Sequence, residues 1–179
     1  NQPENEILVY SRNTSDGTLT YEGAVPTGGS GIGQDQTAPG DPLGAQDPMV
    51  VAGRCLLAVN AGSGSVSSFS IDSDSEISLV GTYSTGGTIP VSVAERGGVV
   101  YVLNAGSKGS IQGFTLSDMC DLSPIGNLIE LDQGKAGVAP TDPPNGLATP
   151  AEVGFTPDGD LMVVIKVDGG GQNIPRPGV

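Results

Sequence analysis

The sequence contains no His and no Trp, and basic residues are scarce, with seven Lys or Arg against 20 Asp or Glu. The net charge of −13 argues against binding to nucleic acid and against insertion into anionic membranes. No apolar run approaches the length that crosses a bilayer, and no helical apolar period persists for three turns. Glycine and proline are abundant instead, with 29 and 14 residues, which is typical of a turn-rich all-β protein.

A repeat of 44 residues organises the chain, measured from Asn60 to Asn104. Residues 57–71 read as an apolar strand, a small turn and a second strand, and residues 102–116 repeat this order. Such a period is typical of the four-stranded blades of β-propellers. A shorter segment also recurs: residues 27–29 and residues 85–87 both have the sequence Thr-Gly-Gly. The sequence therefore predicts an all-β fold, a β-propeller of four-stranded antiparallel blades.

The repeat divides this single domain into blades and parts of blades. We assign 7–29 to the outer half of one blade, 48–87 and 90–131 to complete blades, and 150–173 to the start of another, with long interblade loops at 30–47 and 132–149. Closure of a ring requires four to eight blades, so the chain should form about half of one. An open ring would expose unpaired strand edges. We expect the second half as a partner, either as a missing segment or as a separate chain left by proteolytic processing in an exposed loop; a second copy is the alternative.

Five residues are candidates for ligand contact or catalysis, because interblade loops and the turns after second strands open on the same face of a propeller. Asn60 and Asn104 occupy equivalent turns there, and Gln46 lies near the end of the first long loop. Glu152 begins an inner strand, where it could act as a base or anchor a ligand, and Lys166 could bind an anion. Simpler interpretations remain open: Asn suits turns, and Glu152 could be a partly solvated partner of Lys166.

Asn13-Thr14-Ser15 is an N-glycosylation acceptor triplet in a predicted hairpin turn, although such triplets also occur by chance.

Cys55 starts a second strand, and Cys120 lies between a third and a fourth strand. These turns share one face of a propeller, so a disulfide between the two is possible. A buried thiol at Cys55, or pairing of either Cys with the missing half, is the alternative. We expect a secreted or cell-surface protein.

No metal site and no cofactor are predicted. The acidic run 72–76, Asp-Ser-Asp-Ser-Glu, lacks the spacing and the Gly of an EF-hand, and we interpret it as a solvated hairpin turn. Residues 28–33 are rich in glycine, but no helix follows to supply the dipole of a phosphate-binding N-terminus.

Several segments carry a resemblance to a known family, namely 7–12, 16–19, 25–29, 57–63, 100–106 and 153–159. On these residues the chain resembles the lactonase family of seven-bladed β-propellers, which includes bacterial 6-phosphogluconolactonases and fungal carboxymuconate lactonizing enzymes. The resemblance covers nearly the whole chain, as about half of such a ring. It implies hydrolysis or formation of a lactone on a small carboxylated or sugar-derived substrate.

The chain departs from this family where catalytic residues are expected. Active members often open an inner strand with a Pro-Arg-His triplet, and this sequence has Pro150-Ala151-Glu152 there. The Asn-Glu pair that commonly follows the second strand is replaced by Ile165-Lys166. Lactone chemistry needs a group that titrates near neutral pH and a cation for the substrate carboxylate, so only Glu152 remains as a candidate catalytic group. The alternative function is a catalytically inactive propeller that binds a glycan, a protein or a small ligand outside the cell.

Overall fold

A computed structural model describes residues 4–32, 45–131 and 150–165 of the 179-residue chain. Every regular element in these ranges is a β-strand. In chain order the strands are β1 (Glu4–Arg12), β2 (Leu19–Ser30), β3 (Met49–Ala52), β4 (Cys55–Asn60), β5 (Ser65–Ile71), β6 (Ile77–Ser84), β7 (Pro90–Arg96), β8 (Val99–Asn104), β9 (Ser110–Leu116), β10 (Leu122–Glu130), β11 (Pro150–Phe155) and β12 (Leu161–Ile165). In the same ranges no helix is long and apolar enough to cross a membrane.

The strands form four antiparallel sheets that follow one another along the chain. β3 to β6 make one four-stranded sheet and β7 to β10 make another, and consecutive strands are neighbours in both. β1 pairs with β2, and β11 pairs with β12, in two-stranded sheets. Tight turns join the first and second strands; Gly53, between β3 and β4, has a φ of 61°, a left-handed conformation that favours glycine. The predicted all-β fold with four-stranded antiparallel blades is confirmed.

β4 is buried along its whole length because neighbouring sheets pack against both of its faces. Leu56 and Ala58 belong to a cluster with Phe69 that extends to residues of β1 and β2. Leu57 and Val59 belong to a second cluster that extends to β7 and β8. Successive residues of a strand point to opposite faces, so an apolar run without alternation is what a strand between two sheets requires.

Three apolar clusters join the four sheets in chain order. The first two meet on β4, and the third joins β7 and β8 to β11 through Val91, Leu103 and Val153. Phe69 and Phe114 are the largest fully buried side chains of the described protein. Burial of one such side chain stabilises the fold by about 1.5–3 kcal/mol relative to exposure. Each sheet therefore buries apolar side chains against its neighbours.

The sheets have two distinct ends. We call one the Asn end; it holds the turns that follow β4 and β8 at Asn60 and Asn104, and the starts of β3, β7 and β11. We call the other the disulfide end; it holds the turns after β1, β3, β5, β7, β9 and β11. Because the strands alternate in direction, every connection within a sheet falls at one of these two ends.

A disulfide joins the two complete sheets at the disulfide end. Cys55, the first residue of β4, is bonded to Cys120 in the turn between β9 and β10, with the two Cα atoms 5.5 Å apart. Both cysteines are buried, and Cys120 has a left-handed backbone with a φ of 66°. Of the pairings that the sequence left open, the structure contains this one. It cross-links positions 65 residues apart in neighbouring blades.

Candidate functional site

Asn60 is fully buried at the junction between the β1–β2 sheet and the next sheet. Its side-chain Oδ1 accepts hydrogen bonds from Thr27 Oγ1 at 2.7 Å and from Asn5 Nδ2 at 3.1 Å. Its Nδ2 donates to Ser67 Oγ at 2.7 Å and to Ser65 Oγ at 3.3 Å. Oδ1 of Asn60 therefore joins two sheets, while its Nδ2 is bonded to β5 within its own sheet.

Asn104 occupies the equivalent place one sheet further and is also fully buried. Its Nδ2 donates to Ser110 Oγ at 3.2 Å, and its Oδ1 has no hydrogen-bond partner in the described part of the chain. Thr85 is the repeat counterpart of the threonine that bonds Asn60, but its hydroxyl donates to Gly64 O at 2.9 Å instead. The two junctions therefore share their residue types and differ in their hydrogen bonds.

The repeated Thr-Gly-Gly segments pass directly over the two asparagines. A Cβ atom built on Gly29 would lie 2.7 Å from Asn60 Cβ, and one built on Gly87 would lie 2.6 Å from Asn104 Cγ. Real Cβ atoms do not approach other atoms so closely, so only glycine lets the outer strand of one sheet pass here. The sequence shows that the Thr-Gly-Gly segment and the asparagine both recur. It does not show that the second glycine of each segment contacts the asparagine.

The burial of both asparagines bears on the ligand contacts predicted for them. Neither the Asn60 nor the Asn104 side chain is accessible to solvent in this structure, and the ligand contacts of both stay predictions. Neither has a positive φ, so unusual backbone angles do not explain them either. Asn60 joins neighbouring sheets at the Asn end through Asn5 and Thr27, whereas the hydrogen bond of Asn104 to Ser110 stays within its own sheet.

The segment that contains Gln46 runs beside the start of β7. Gln46 N donates to Val91 O at 3.2 Å, and Val93 N donates to Asp47 O at 3.1 Å. Asp47 and Ser92 form a parallel bridge between these hydrogen bonds. The segment therefore extends the inner edge of the sheet, and both Gln46 and Asp47 are exposed.

Ser92 also connects β7 to β11. Its Oγ accepts a hydrogen bond from Val153 N at 3.1 Å, and the preceding residue, Glu152, is exposed. The main chain of Asp47 is thus bridged to Ser92, and Glu152 directly precedes the residue that bonds Ser92, with its side chain on the face of β11 opposite to Val153. We call Gln46, Asp47, Ser92 and Glu152 the inner-strand cluster.

Two members of this cluster, Asp47 and Ser92, were not identified from the sequence. Ser92 follows Pro90 by two residues, as Glu152 follows Pro150, and this alignment was the available signal. Asp47 carried no such signal, because its position depends on how the interblade segment returns to β7. Lys166 lies outside the described residues, as do most of loop 30–47 and all of loop 132–149.

The described cations lie away from the cluster or are already paired. Arg12, Arg54 and Arg96 are in or next to turns of the disulfide end. Arg96 Nη1 donates to Thr156 O at 2.8 Å and so holds the turn before β12. Lys108 is at the Asn end, where its Nζ is 3.2 Å from Glu130 Oε2.

The exposed members of the inner-strand cluster offer an amide and two carboxylates, whereas the Ser92 hydroxyl is buried and bonded to Val153 N. A carboxylate can take a proton from water, and an amide can donate to a carbonyl oxygen or a sugar hydroxyl. In the described ranges, no group of three His, Cys, Asp or Glu side chains is placed to hold a metal ion. A substrate carboxylate would need its cation from residues beyond these ranges.

Asn13 lies at the disulfide end, in the exposed turn between β1 and β2. Its side-chain Oδ1 accepts a hydrogen bond from Ser15 N at 2.9 Å, and its main-chain O accepts one from Gly17 N at 2.9 Å. The residue to which a glycan would be joined is therefore at the surface, at the end opposite to the inner-strand cluster.

Solved structures share this arrangement of sheets. A candidate 6-phosphogluconolactonase from Bacteroides uniformis aligns with 89% of the chain at a TM-score of 0.62 and 15% identity. A second, from Bacteroides fragilis, aligns with 88% at a TM-score of 0.56 and 21% identity. A protein from Lactobacillus plantarum aligns with 70% at a TM-score of 0.56 and 20% identity. The chain has a lactonase-like β-propeller fold.

The similarity to these proteins is one of fold, and the alignment covers only part of each solved chain. The chain spans 43%, 40% and 36% of the three solved chains, less than half of each one. No protein-family model matches the sequence, and no curated protein matches it significantly.

Proposed function

We propose that this chain is the part of a lactonase-type propeller that contributes the inner-strand cluster to its reaction centre. The observation that carries the proposal is that Gln46, Asp47 and Glu152 are exposed on segments that bridge or hydrogen-bond to the inner strand β7 of a lactonase-like fold. Inner strands border the channel of a propeller, and polar groups that converge on a channel are the usual makings of a small-molecule site.

The proposed reaction is hydrolysis of a lactone by water. Water attacks the ring carbonyl carbon, and the carbon–oxygen bond of the ring ester breaks. Glu152 takes a proton from the attacking water, and that proton passes to the departing ring oxygen, which becomes a hydroxyl group. The Gln46 side-chain amide donates to the carbonyl oxygen as negative charge develops there.

A neutral, sugar-derived lactone suits this cluster better than a carboxylated one. The chain carries a net charge of −13, and the cluster itself contains two carboxylates. Such a field lowers the local concentration of an anionic substrate. The described cations do not offset it, because three lie at the opposite end and Lys108 is paired with Glu130.

The test is turnover of neutral and carboxylated lactones, followed by the acid they release. The protein is purified with any polypeptide that accompanies it, and Glu152→Gln is compared with Glu76→Gln, a matched change at the disulfide end. We expect kcat/KM to fall by about 100-fold or more in Glu152→Gln, as loss of a general base does, with the control unchanged. Equal rates in the two variants would remove Glu152 from the mechanism.

A second candidate is a propeller that binds a neutral glycan or lactone through the same cluster without converting it. The observation that favours it is the absence of His from all 179 residues, because His is the usual proton-transfer group near neutral pH. Saturable heat of binding without turnover, weakened by Gln46→Ala, would support this function over the first.

We also propose that the protein is secreted or displayed at the cell surface and is glycosylated on Asn13. The disulfide between Cys55 and Cys120 is the kind of bond that forms and persists in oxidising compartments. Asn13 is exposed, and its triplet is the only Asn-X-Ser/Thr sequence in the chain.

Expression through a eukaryotic secretory pathway tests this second proposal. We expect the secreted protein to carry a glycan that an amidase for N-glycans removes, leaving Asp at position 13. Asn13→Gln and Ser15→Ala should abolish the modification, while Ser15→Thr should keep it. Secretion of an unmodified, disulfide-bonded protein would refute glycosylation at Asn13.

A further inference from the structure

A buried serine stands at a place in β7 where the other first strands carry different residues. Ser92 is the second residue after the proline that leads β7, and the same place holds Val50 in β3 and Glu152 in β11. Ser92 is fully buried, and so are its neighbours Val91 and Val93. A buried hydroxyl costs free energy unless it has a hydrogen-bond partner. The partner of Ser92 therefore indicates what the hydroxyl does here.

That partner is the main chain of the next sheet. Ser92 Oγ accepts a hydrogen bond from Val153 N, in β11, at 3.1 Å. The Val153 side chain packs in a cluster with Val91 and Leu103, so the side chain of the preceding residue, Glu152, lies on the other face of β11, where it is exposed. The Cα atoms of consecutive residues are about 3.8 Å apart. The Ser92 hydroxyl therefore holds β11 one residue away from the candidate base.

Both β7 and β11 contain a β-bulge directly before these residues. In β7 the extra residue is Val91, which has no residue of β8 opposite it. In β11 the extra residue is Ala151, directly before Glu152. The described pairs of β3 with β4 contain no such bulge. A bulge changes the direction of nearby side chains and is frequent next to active sites. The distortion therefore lies beside Ser92 in one strand and beside the candidate base in the other.

The main chain around Ser92 holds the segment that carries the other candidate groups. Val91 is unpaired with β8 because of the bulge, and its O accepts a hydrogen bond from Gln46 N at 3.2 Å. Asp47 forms the parallel bridge to Ser92, and Val93 N donates to Asp47 O at 3.1 Å. Ser92 is thus linked to this segment through its main chain and to β11 through its side chain. A substitution of the side chain removes the second link and leaves the first.

We infer that Ser92 is a positioning residue for the proposed reaction: its hydroxyl, through the Val153 N–H, sets the place of the Glu152 carboxylate. Ser92 is buried, so it acts through the strand and not on the substrate itself. The inference rests on the proposed function, because it assigns Ser92 a part in that reaction. A general base must lie within hydrogen-bond reach of the water that it deprotonates, and a misplacement of about 1 Å can lower the rate by about 100-fold.

Ser92→Thr and Ser92→Val test the hydroxyl at constant side-chain size. Only Thr keeps the hydroxyl, and Val already occupies the equivalent place in β3. Each variant is purified with any polypeptide that accompanies the chain, and its lactone turnover is measured. We expect Ser92→Thr to keep kcat within about threefold of the original and Ser92→Val to lose about 10-fold or more. KM should change little in both, because the main-chain link to the segment of Gln46 does not depend on the side chain.

Hydrogen exchange gives a second readout that needs no turnover. The Val153 N–H should exchange about 10-fold or more faster in Ser92→Val than in Ser92→Thr, because it loses its acceptor. Ser68→Ala is the control, since Ser68 is also fully buried but its hydroxyl has no hydrogen-bond partner in the described part of the chain. This control should change neither kcat nor the exchange of Val153. Circular dichroism reports whether each variant folds, and the smaller Ser92→Ala replaces Ser92→Val if the latter does not.

Each result decides the question. Equal kcat values for Ser92→Thr and Ser92→Val would overturn the inference, and so would equal exchange of the Val153 N–H in the two variants. A rise in KM with an unchanged kcat would also overturn it, because Ser92 would then affect binding and not the base. If the original protein turns over no lactone, the proposed reaction fails. Faster exchange of Val153 in Ser92→Val would then still support the placement of the Glu152 strand by Ser92, whereas equal exchange would refute both.

Discussion

Replacing Asn60 with alanine should destabilise the protein much more than the same change at Asn104. Both side chains are fully buried, in equivalent turns. Asn60 makes four side-chain hydrogen bonds, two of them at 2.7 Å, whereas Asn104 makes one with described residues, at 3.2 Å. Both variants lose a buried Asn side chain at equivalent places in the same fold. The difference between their free energies of unfolding therefore reports the contribution of the hydrogen bonds.

The expected loss in free energy of unfolding depends on which buried groups each substitution leaves without a hydrogen-bond partner. A hydrogen bond contributes about 0.5–1.5 kcal/mol net, and a buried group left without its partner costs about 1–3 kcal/mol. Asn60→Ala removes the acceptor of the buried Thr27 hydroxyl and the donor to Ser67, so we expect a loss of about 3 kcal/mol. Asn104→Ala removes one long bond and should cost about 1 kcal/mol.

The assay is equilibrium unfolding in urea followed by circular dichroism, since the chain contains no Trp. We expect the free energies of unfolding of the two variants to differ by about 2 kcal/mol, with unchanged m-values. Equal losses would refute the reasoning, because they would mean that the bonds around Asn60 contribute nothing beyond burial. A change in ligand affinity without a loss of stability would instead favour the ligand contacts expected from the sequence.

Three further predictions concern the disulfide end. Reducing the disulfide, or replacing Cys55 and Cys120 with serine, should lower the free energy of unfolding by about 3–4 kcal/mol, because the bond closes a loop of 65 residues; an unchanged melting temperature under reductant would contradict this. Arg96→Ala should free the turn before β12, which its guanidinium holds through two carbonyl groups; hydrogen exchange should rise there and not in the turn after β1. The pKa of Asp16 should lie below that of a free Asp because the Thr18 N–H and hydroxyl donate to its carboxylate. Since the folded pKa is the lower one, the stabilisation is present above the unfolded pKa and is lost as pH falls through the folded pKa. Titration by NMR should show this, and Thr18→Ala should raise the pKa of Asp16; no rise would refute the assigned cause.

The candidate site was predicted from the sequence only in part. Gln46 and Glu152 were chosen because of their places in an interblade loop and an inner strand, and the structure has both exposed, on segments that hydrogen-bond to β7. Asn60 and Asn104 were chosen because they recur, but recurrence does not distinguish a side chain that faces a channel from one that is buried between strands. Asp47 was missed because its place depends on a parallel bridge to β7, between segments far apart in the chain.

The sequence by itself determined the strands, the turns and the period of the blades. These follow from local rules: Gly, Asn, Asp and Ser form the turns, and a second strand such as β4 is apolar up to its final Asn because both of its faces are covered. Only the tertiary structure decided which cysteines pair and why Gly29 and Gly87 must be glycine. Each of these depends on which faces of two sheets meet, and that is a property of the packed arrangement rather than of any one stretch of chain.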